Sequence, residues 1–111
     1  MKHHKLKDMF NGWFIGEFSP AAFKSEACEV AVKHYSAGDC EKAHYHKVAT
    51  EVTLVLKGEV EMMDSLWVAG DIIVLEPGDV SAFTAKTDCS TVVVKVPGVL
   101  DDKYILEDTA G

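Results

Sequence analysis

GDCEKAHYHKVATEVTLVLKG, residues 38–58, places two histidines and an acidic residue within eight positions of one another. His44 and His46 are two residues apart, so in an extended strand both imidazoles project from the same face, roughly 6–7 Å apart along the chain. Glu51 follows after a connection of four residues, which is the length of a hairpin loop, and a return strand brings its carboxylate beside the histidines. This spacing predicts that the three side chains converge.

Two imidazoles and one carboxylate form a ligand set suited to a divalent metal ion such as Fe, Mn, Ni or Zn. Three protein ligands on one side of an ion leave up to three positions open for water, substrate or dioxygen. Non-haem oxygenases use this set with Fe(II), whereas other ions polarise a carbonyl or enediol as Lewis acids. We therefore predict metal ligation by His44, His46 and Glu51, with Glu51 also a candidate catalytic residue. Two alternatives stay open: polar lining of a metal-free pocket, and structural hydrogen bonding.

The whole segment also resembles a known family motif. A glycine at each end frames the histidines and the glutamate, with intervening lengths of five, one, four and six residues. Every position of this pattern matches the first conserved motif of the cupin superfamily: Gly38, His44, His46, Glu51 and Gly58. The resemblance implies a double-stranded β-helix, also called a jelly-roll barrel, with the metal and a small-molecule ligand in its lumen.

A second stretch, GDIIVLEPGDVS at residues 70–81, resembles the second cupin motif in its opening glycine, the strand that follows and its proline-glycine turn. The position where the family usually has its third metal-binding histidine is Ser81, and the asparagine-like position further on is Ala85. The resemblance covers roughly residues 30–97. Because a neutral hydroxyl is a poor ligand, we expect a more open site that binds metal more weakly.

Five further residues are candidates for the substrate pocket: Ser81, Phe83, Thr53, His34 and Lys95. Thr53 follows the glutamate on the same face of the return strand, and the Ser81 hydroxyl could hydrogen-bond a metal-bound water or a substrate. Phe83 is either an apolar pocket wall or part of the core. His34 could complete the coordination that the serine cannot, and Lys95 could hold an anionic group. The alternative for His34 is a surface or core histidine, and the alternative for Lys95 is an outward-facing lysine.

The remainder of the chain has the pattern of short strands at roughly 8-to-12-residue spacing, without an amphipathic helix of ten or more residues. This pattern is typical of an all-β sandwich or small barrel with little or no helix. We expect residues 1–12 to form a flexible N-terminal arm, residues 13–97 the cupin barrel and residues 98–111 a C-terminal tail. Whether the tail packs on its own barrel or on a partner subunit stays open.

Length and charge limit the classes of function. At 111 residues the chain forms one domain, and a formal net charge of −7 disfavours nucleic acid and anionic membranes as partners. The apolar runs are far shorter than the roughly 20 residues that span a bilayer, and the N-terminus lacks the pattern of a signal peptide. The three cysteines include no C-x-x-C pair, so reduced thiols in a cytoplasmic protein are predicted.

Two functional hypotheses follow from the ligand set and the resemblance. The first is a metal-dependent enzyme, a dioxygenase or an isomerase, acting on a small polar molecule. The second is a metal-free or non-catalytic barrel that binds a sugar or organic acid as a sensor. Cupins are commonly homodimers, so the resemblance implies a homodimer, and the apolar outer face of the strand at residues 50–57 would need covering.

Overall fold

Residues 1–106 are described in a computed structural model, where they form two antiparallel sheets of five strands each. The strands in chain order are β1 (Trp13–Ile15), β2 (Glu29–Tyr35), β3 (Cys40–Tyr45), β4 (Thr50–Lys57), β5 (Glu59–Met62), β6 (Ser65–Val68), β7 (Ile72–Leu75), β8 (Ser81–Ala85), β9 (Cys89–Val96) and β10 (Tyr104–Ile105). One sheet has the order β1-β2-β9-β4-β7 and the other β10-β3-β8-β5-β6. The prediction of an all-β fold is confirmed, because the helical structure in this part of the chain is a single 3-10 turn, Leu6–Asp8. No helix among these residues has the length and apolar character needed to cross a membrane.

Strand β4 shows how alternation along the sequence builds the barrel. Glu51, Thr53 and Val55 are buried, and the residues between them are partly exposed, because successive side chains of a strand point to opposite faces. Pairing with β9 on one side and β7 on the other holds these three side chains toward the space between the sheets. Apolar residues fill part of that space as the core: Val55, Val60, Met62, Ile73, Leu75, Phe83, Ala85 and Cys89.

Strand β3 contains a β-bulge that turns the first histidine into the barrel. Glu41 pairs with Phe83 and His44 with Ser81 across β8, and the register shifts between these two pairs. In a regular strand, residues three positions apart face opposite sides of the sheet. Here Glu41 and His44 both line the same cavity, because the extra residue of a bulge changes the facing of the residues that follow it.

The barrel does not end at residue 97, where the sequence pattern places its boundary. Strand β10 pairs with β3, with Tyr104 opposite Tyr45, and the two tyrosine rings stack with their centroids 5.5 Å apart. This pairing covers the backbone edge of β3. The C-terminal segment therefore packs on its own barrel and forms part of the wall, while residues 107–111 of the expected tail lie outside the described residues.

The N-terminal arm is shorter than expected from the sequence. Residues 1–8 are exposed, but Phe10 forms a β-bridge with Trp13. The backbone N–H of Val32 also donates to the carbonyl oxygen of Gly12 at 3.1 Å. The chain is thus attached to the barrel before β1 begins, because these backbone groups extend the edge of the first sheet.

Candidate metal centre

The three predicted ligands lie together inside the barrel. One ligand atom from each of His44, His46 and Glu51 lies within 4.8 Å of the other two, and all three residues are buried. The two imidazole rings have centroids 5.5 Å apart and planes at 74°. The connection between β3 and β4 is not a hairpin, as the sequence spacing suggested, because the two strands belong to different sheets. The ligands instead converge across the interior, where the inner faces of two packed sheets oppose each other.

Both histidines are held in the same tautomer by backbone carbonyl groups. His44 Nδ1 lies 2.9 Å from the carbonyl oxygen of Lys42, and His46 Nδ1 lies 2.6 Å from the carbonyl oxygen of Asp102. A carbonyl oxygen only accepts, so each Nδ1 must carry the proton that it donates. The Nε2 atom of each neutral ring then keeps its lone pair for an ion, as is usual for histidines that bind metals.

The donor set fits a divalent metal ion. His46 Nε2 faces a Glu51 carboxylate oxygen at 3.3 Å, so two acceptors meet unless a proton or another cation lies at the site. The hydrogen bond to Glu51 raises the pKa of His46, against the opposing effect of burial. Burial raises the pKa of Glu51, but the hydrogen bond and charge of His46 outweigh it, so the Glu51 pKa lies below its usual value. The pair is therefore arranged to hold positive charge.

Asp102 anchors the segment that connects β3 to β4, and it was not predicted from the sequence. Its buried carboxylate accepts from the backbone N–H groups of Lys47 at 3.0 Å, Val48 at 3.1 Å and Ala49 at 2.9 Å. Burial raises the Asp102 pKa, but these three donors outweigh it, and the pKa lies below its usual value. The same residue orients His46 through its carbonyl oxygen. No local pattern points to it, because its partners are more than 50 positions away in the chain.

The candidate metal centre opens into a cavity of about 660 Å³. His44 and Glu51 line this cavity, and so do four of the five pocket residues predicted from the sequence: Thr53, Ser81, Phe83 and Lys95. Thr53 Oγ1 is oriented toward the second carboxylate oxygen of Glu51, 3.5 Å away. Phe83 is both pocket wall and core, since its ring lies 4.5 Å from that of Tyr35 and belongs to the core cluster.

His34 does not line the cavity, which corrects one prediction from the sequence. It lies on the outer face of β2, is exposed, and its Nδ1 lies 2.8 Å from the Ser90 hydroxyl oxygen on β9. Side chains alternate between the two faces of a strand. Because the neighbours of His34, Lys33 and Tyr35, both line the cavity, His34 must face outward. His34 is therefore too far around the sheet to complete the coordination.

Among the cavity residues not identified from the sequence are two charged side chains and a tryptophan. Glu29, Lys33 and Trp13 line the same space, and Glu29 is buried. Burial raises the pKa of the Glu29 carboxyl, while Lys95 and His46 oppose this. Charged residues in a short alternating strand ordinarily indicate a solvent face, so only the three-dimensional pairing reveals that these point inward.

Replacing Ser81 with histidine is expected to strengthen metal binding. Ser81 pairs with His44 across β3 and β8, is 3% exposed and lines the cavity. A third imidazole at this position is expected to tighten binding by about tenfold or more, since even residues that only orient a ligand change metal affinity 10–100-fold. Competition with a chromophoric chelator measures the change. Ser81→Ala is the control and should leave the affinity unchanged; a folded Ser81→His variant that binds no tighter would contradict the expectation.

Comparison with solved structures identifies the architecture. A conserved protein with a double-stranded β-helix domain from Klebsiella pneumoniae subsp. pneumoniae MGH 78578 has a TM-score of 0.68 and 24% sequence identity, covering 76% of this chain and 78% of that chain. An RmlC-like cupin from Shewanella frigidimarina NCIMB 400 has a TM-score of 0.65 and 17% identity, covering 69% and 72%. The protein has the cupin fold. The resemblance predicted from the two motifs is thus confirmed at the level of fold.

An enzyme is also among the structures similar to this cupin barrel. The DMSP lyase DddQ from Ruegeria pomeroyi DSS-3 has a TM-score of 0.72 and 19% identity, covering 89% of this chain and 52% of that chain. Identity at this level establishes a common fold and not a common reaction. No protein-family model matches the chain, and no curated protein matches it.

Proposed function

We propose that this cupin binds one divalent metal ion through His44, His46 and Glu51 and acts as a metal-dependent enzyme on a small polar molecule. The observation that carries the proposal is the shared tautomer of the two histidines. Both Nδ1 atoms donate to backbone carbonyl groups, which leaves the Nε2 atom of each neutral ring with its lone pair, and one ligand atom from each histidine lies within 4.8 Å of the buried Glu51 carboxylate. A site with only a structural role has no need for three ligand atoms aimed at one point.

Isomerase-type proton transfer is the chemistry that the cavity supports best, ahead of oxygenation. A divalent ion would supply Lewis-acid polarisation of a substrate carbonyl or enediol when bound. Glu29 supplies a second carboxyl in the same cavity, and because burial raises its pKa it holds a proton to higher pH than an ordinary glutamate. Proton transfer requires such a group, since the Glu51 carboxylate would serve as a ligand when a metal ion is bound. Thr53 Oγ1 is directed at the Glu51 carboxylate oxygen that does not face His46.

A second candidate is a metal-free or non-catalytic barrel that binds a sugar or organic acid. Ser81 favours it, because this residue stands where a further imidazole would strengthen metal binding, and its hydroxyl instead donates to the carbonyl oxygen of Ala82 at 3.3 Å. The two candidates differ in one measurable property, the metal content of the protein.

Elemental analysis of tag-free protein tests the proposal. We expect about one divalent transition-metal ion per chain, either as purified or after reconstitution, because the three ligands form one site. His44→Ala should lose the ion, and His34→Ala is the matched control because this histidine lies outside the barrel. Metal-free parent protein after reconstitution, or equal metal content in both variants, would favour the binding barrel.

Metal uptake should release a proton at acidic pH and none well above neutral pH. The Glu51 hydrogen bond raises the pKa of His46, so below that pKa the metal must displace the Nε2 proton. The apparent affinity is then expected to fall about tenfold per pH unit as the pH decreases below the His46 pKa. Calorimetric titrations in two buffers with different ionisation enthalpies count the released protons. Identical proton release on both sides of the pKa would contradict the expectation.

We propose that the protein forms a homodimer through the outer face of the sheet β1-β2-β9-β4-β7. The outward residues of β2, β9, β4 and β7 are mostly apolar: Val30, Val32, Val52, Leu54, Leu56, Ile72, Val74, Val92, Val94 and Val96. On the edge strand β7, Ile72 and Val74 are 61% and 54% exposed. Such an uncharged apolar face is complementary to a copy of itself about a two-fold axis.

Size-exclusion chromatography with light scattering tests the dimer. The parent protein is expected to have the mass of two chains, and Val74→Lys is expected to have the mass of one, because a lysine on each copy places charge in the apolar contact. Leu66→Lys is the matched control, since Leu66 is 53% exposed on β6 of the other sheet. A monomeric parent, or a dimeric Val74→Lys variant, would exclude this interface.

The cytoplasm is the compartment proposed for this function. All three cysteines, Cys28, Cys40 and Cys89, are free, and reduced thiols persist in a reducing compartment. The proposed partner is a small-molecule ligand, in keeping with the dimensions of the cavity.

A further inference from the structure

Two lysines and a tryptophan form a positively charged patch in the cavity wall, here called the lysine–tryptophan patch (Trp13, Lys33 and Lys95). Lys33 Nζ lies 5.1 Å and Lys95 Nζ lies 4.9 Å from the centroid of the Trp13 ring. Trp13 is opposite Ala31 in the β1–β2 pairing. Along β2, Lys33 lies two residues after Ala31. Glu29, which pairs with Lys95 of β9, lies two residues before Ala31. Both ammonium groups therefore lie within about 5 Å of the same indole ring.

Neither ammonium group of the patch has an ion-pair partner among residues 1–106. The ion pairs in that part of the chain join His46 to Glu51 and Lys86 to Glu61. Two other cavity carboxylates are engaged elsewhere: Glu41 accepts from the Tyr35 hydroxyl at 3.0 Å, and the Asp102 carboxylate accepts from backbone N–H groups. A third, Asp101, is exposed. The cavity thus contains two cations whose main close contact is an aromatic ring.

Glu29 is the carboxyl group nearest in register to the patch, and it does not neutralise it. It pairs with Lys95 across β2 and β9, yet its carboxylate lies beyond ion-pair distance. Burial raises the Glu29 pKa, which favours the neutral form. Burial also lowers the pKa of Lys33. The negative charge of Glu41 opposes this effect, and the positive charges of Lys103 and Lys95 reinforce it. Acidic residues line other parts of the cavity, but none of residues 1–106 forms an ion pair with Lys33 or Lys95.

A cation–π contact compensates only part of the cost of burying an ammonium group. Such contacts stabilise a cation only modestly, whereas a partly buried charge without a partner is more costly. Two ammonium groups beside one ring also repel each other. An anionic ligand group between them would form two charge-assisted hydrogen bonds and remove both costs.

Lys95 places the patch directly beside the metal centre. It is the register partner of Glu51 in the β4–β9 pairing, and both side chains line the cavity. Residues paired in this way have Cα atoms about 4.5–5.5 Å apart. A ligand group bound at the patch would therefore lie in the same cavity as His44 and Glu51, two of the three metal-ligand candidates.

We propose that the lysine–tryptophan patch binds the carboxylate or phosphate group of the substrate, with Trp13 packing against its carbon skeleton. The substrate class is then a small oxygen-rich acid or phosphate ester, whose remaining polar atoms reach the metal centre. The second half of this assignment rests on the proposed metal-dependent function. The anion site itself does not, because neither lysine is a metal ligand.

Nuclear magnetic resonance of the full chain tests the anion site directly. The protein has two tryptophans, so two indole N–H signals are expected. Trp67 is an internal control, because its Nε1–H donates to the carbonyl oxygen of Met62 at 2.9 Å. Inorganic phosphate and acetate are titrated at constant ionic strength, with acetamide as the neutral isostere of acetate. We expect a saturable shift of the Trp13 signal with phosphate, acetate or both, and none with acetamide.

Variants assign any anion binding to the two lysines. Lys33→Met and Lys95→Met keep the apolar stem and are each expected to weaken anion binding about tenfold or more, since a hydrogen bond to a charged group contributes about 1.5–3 kcal/mol. Lys33→Arg should retain binding. Lys47→Met is the matched control, because Lys47 Nζ lies 4.1 Å from the Tyr104 ring but outside this cavity.

The titration is run on protein as purified and again after treatment with a chelator, which separates the two proposals. Equal anion binding in both states supports the patch whether or not the metal-dependent function is correct. Anion binding that disappears with the chelator would assign the shift to the metal centre and overturn the patch. Equal shifts with acetamide, or equal affinities in Lys33→Met, Lys95→Met and Lys47→Met, would also overturn it.

Discussion

Asp102→Ala is expected to lower the free energy of unfolding by about 3 kcal/mol and to weaken metal binding about 10–100-fold. The substitution leaves the buried or partly buried N–H groups of Lys47, Val48 and Ala49 without their acceptor. These residues form the connection between β3 and β4, so its loosening displaces the two ligands that flank it, His46 and Glu51. Stability and metal affinity should therefore fall together.

Denaturant unfolding and chelator competition measure the two effects of Asp102→Ala. Asp102→Asn keeps one acceptor oxygen and should lie between parent and alanine variant in both properties. Asp101→Asn is the control, because Asp101 is exposed and asparagine tolerates its positive φ of 58°. The Asp102 pKa lies below its usual value, so its stabilising effect is present above the unfolded-state pKa and is lost as the pH falls through the folded-state pKa. A change in unfolding free energy below about 0.5 kcal/mol would show that the carboxylate is not the anchor.

Phe83→Ala is expected to lower the free energy of unfolding by about 3–5 kcal/mol while leaving the metal content unchanged. The Phe83 ring is 6% exposed, packs on the Tyr35 ring and belongs to the core cluster. Its partners across the sheet are Glu41 and Met62, which are not ligands. Its removal should therefore enlarge the cavity without disturbing the metal centre.

Thermal or denaturant unfolding with parallel elemental analysis checks the Phe83 prediction. Phe10→Ala is the matched control, since Phe10 also lines the cavity but is 70% exposed, and it should change stability by less than about 0.5 kcal/mol. Equal losses in the two variants would mean that Phe83 acts only at the cavity surface. Loss of metal in a folded Phe83→Ala variant would contradict the prediction, because it would show that the packing of Phe83 is needed to position the ligands.

The proximity of the ligands was predictable from the sequence because it depends mainly on local geometry. The spacing of His44 and His46 fixes their common side of the chain, and the short connection limits how far Glu51 can lie from them. The match of this spacing to the first cupin motif also fixed the fold class, which the comparisons bear out. The prediction of a β3–β4 hairpin was wrong, because a connection of this length can either form a hairpin or cross between two sheets.

The rest of the site depends on pairing between distant strands, which the sequence does not reveal. His34 and Lys33 are neighbours, and only the register of β2 against β9 decides that the lysine faces the cavity. The β-bulge in β3 changes the facing of His44 relative to Glu41, and no turn residue signals it. Asp102 contacts the ligand connection from the far end of the chain.

Anomalous diffraction from crystals loaded with zinc tests the central claim most directly. We expect one strong peak about 2.0–2.2 Å from His44 Nε2, His46 Nε2 and a carboxylate oxygen of Glu51. A peak at other residues such as His3 and His4, or no peak between these three side chains at saturating zinc, would contradict it.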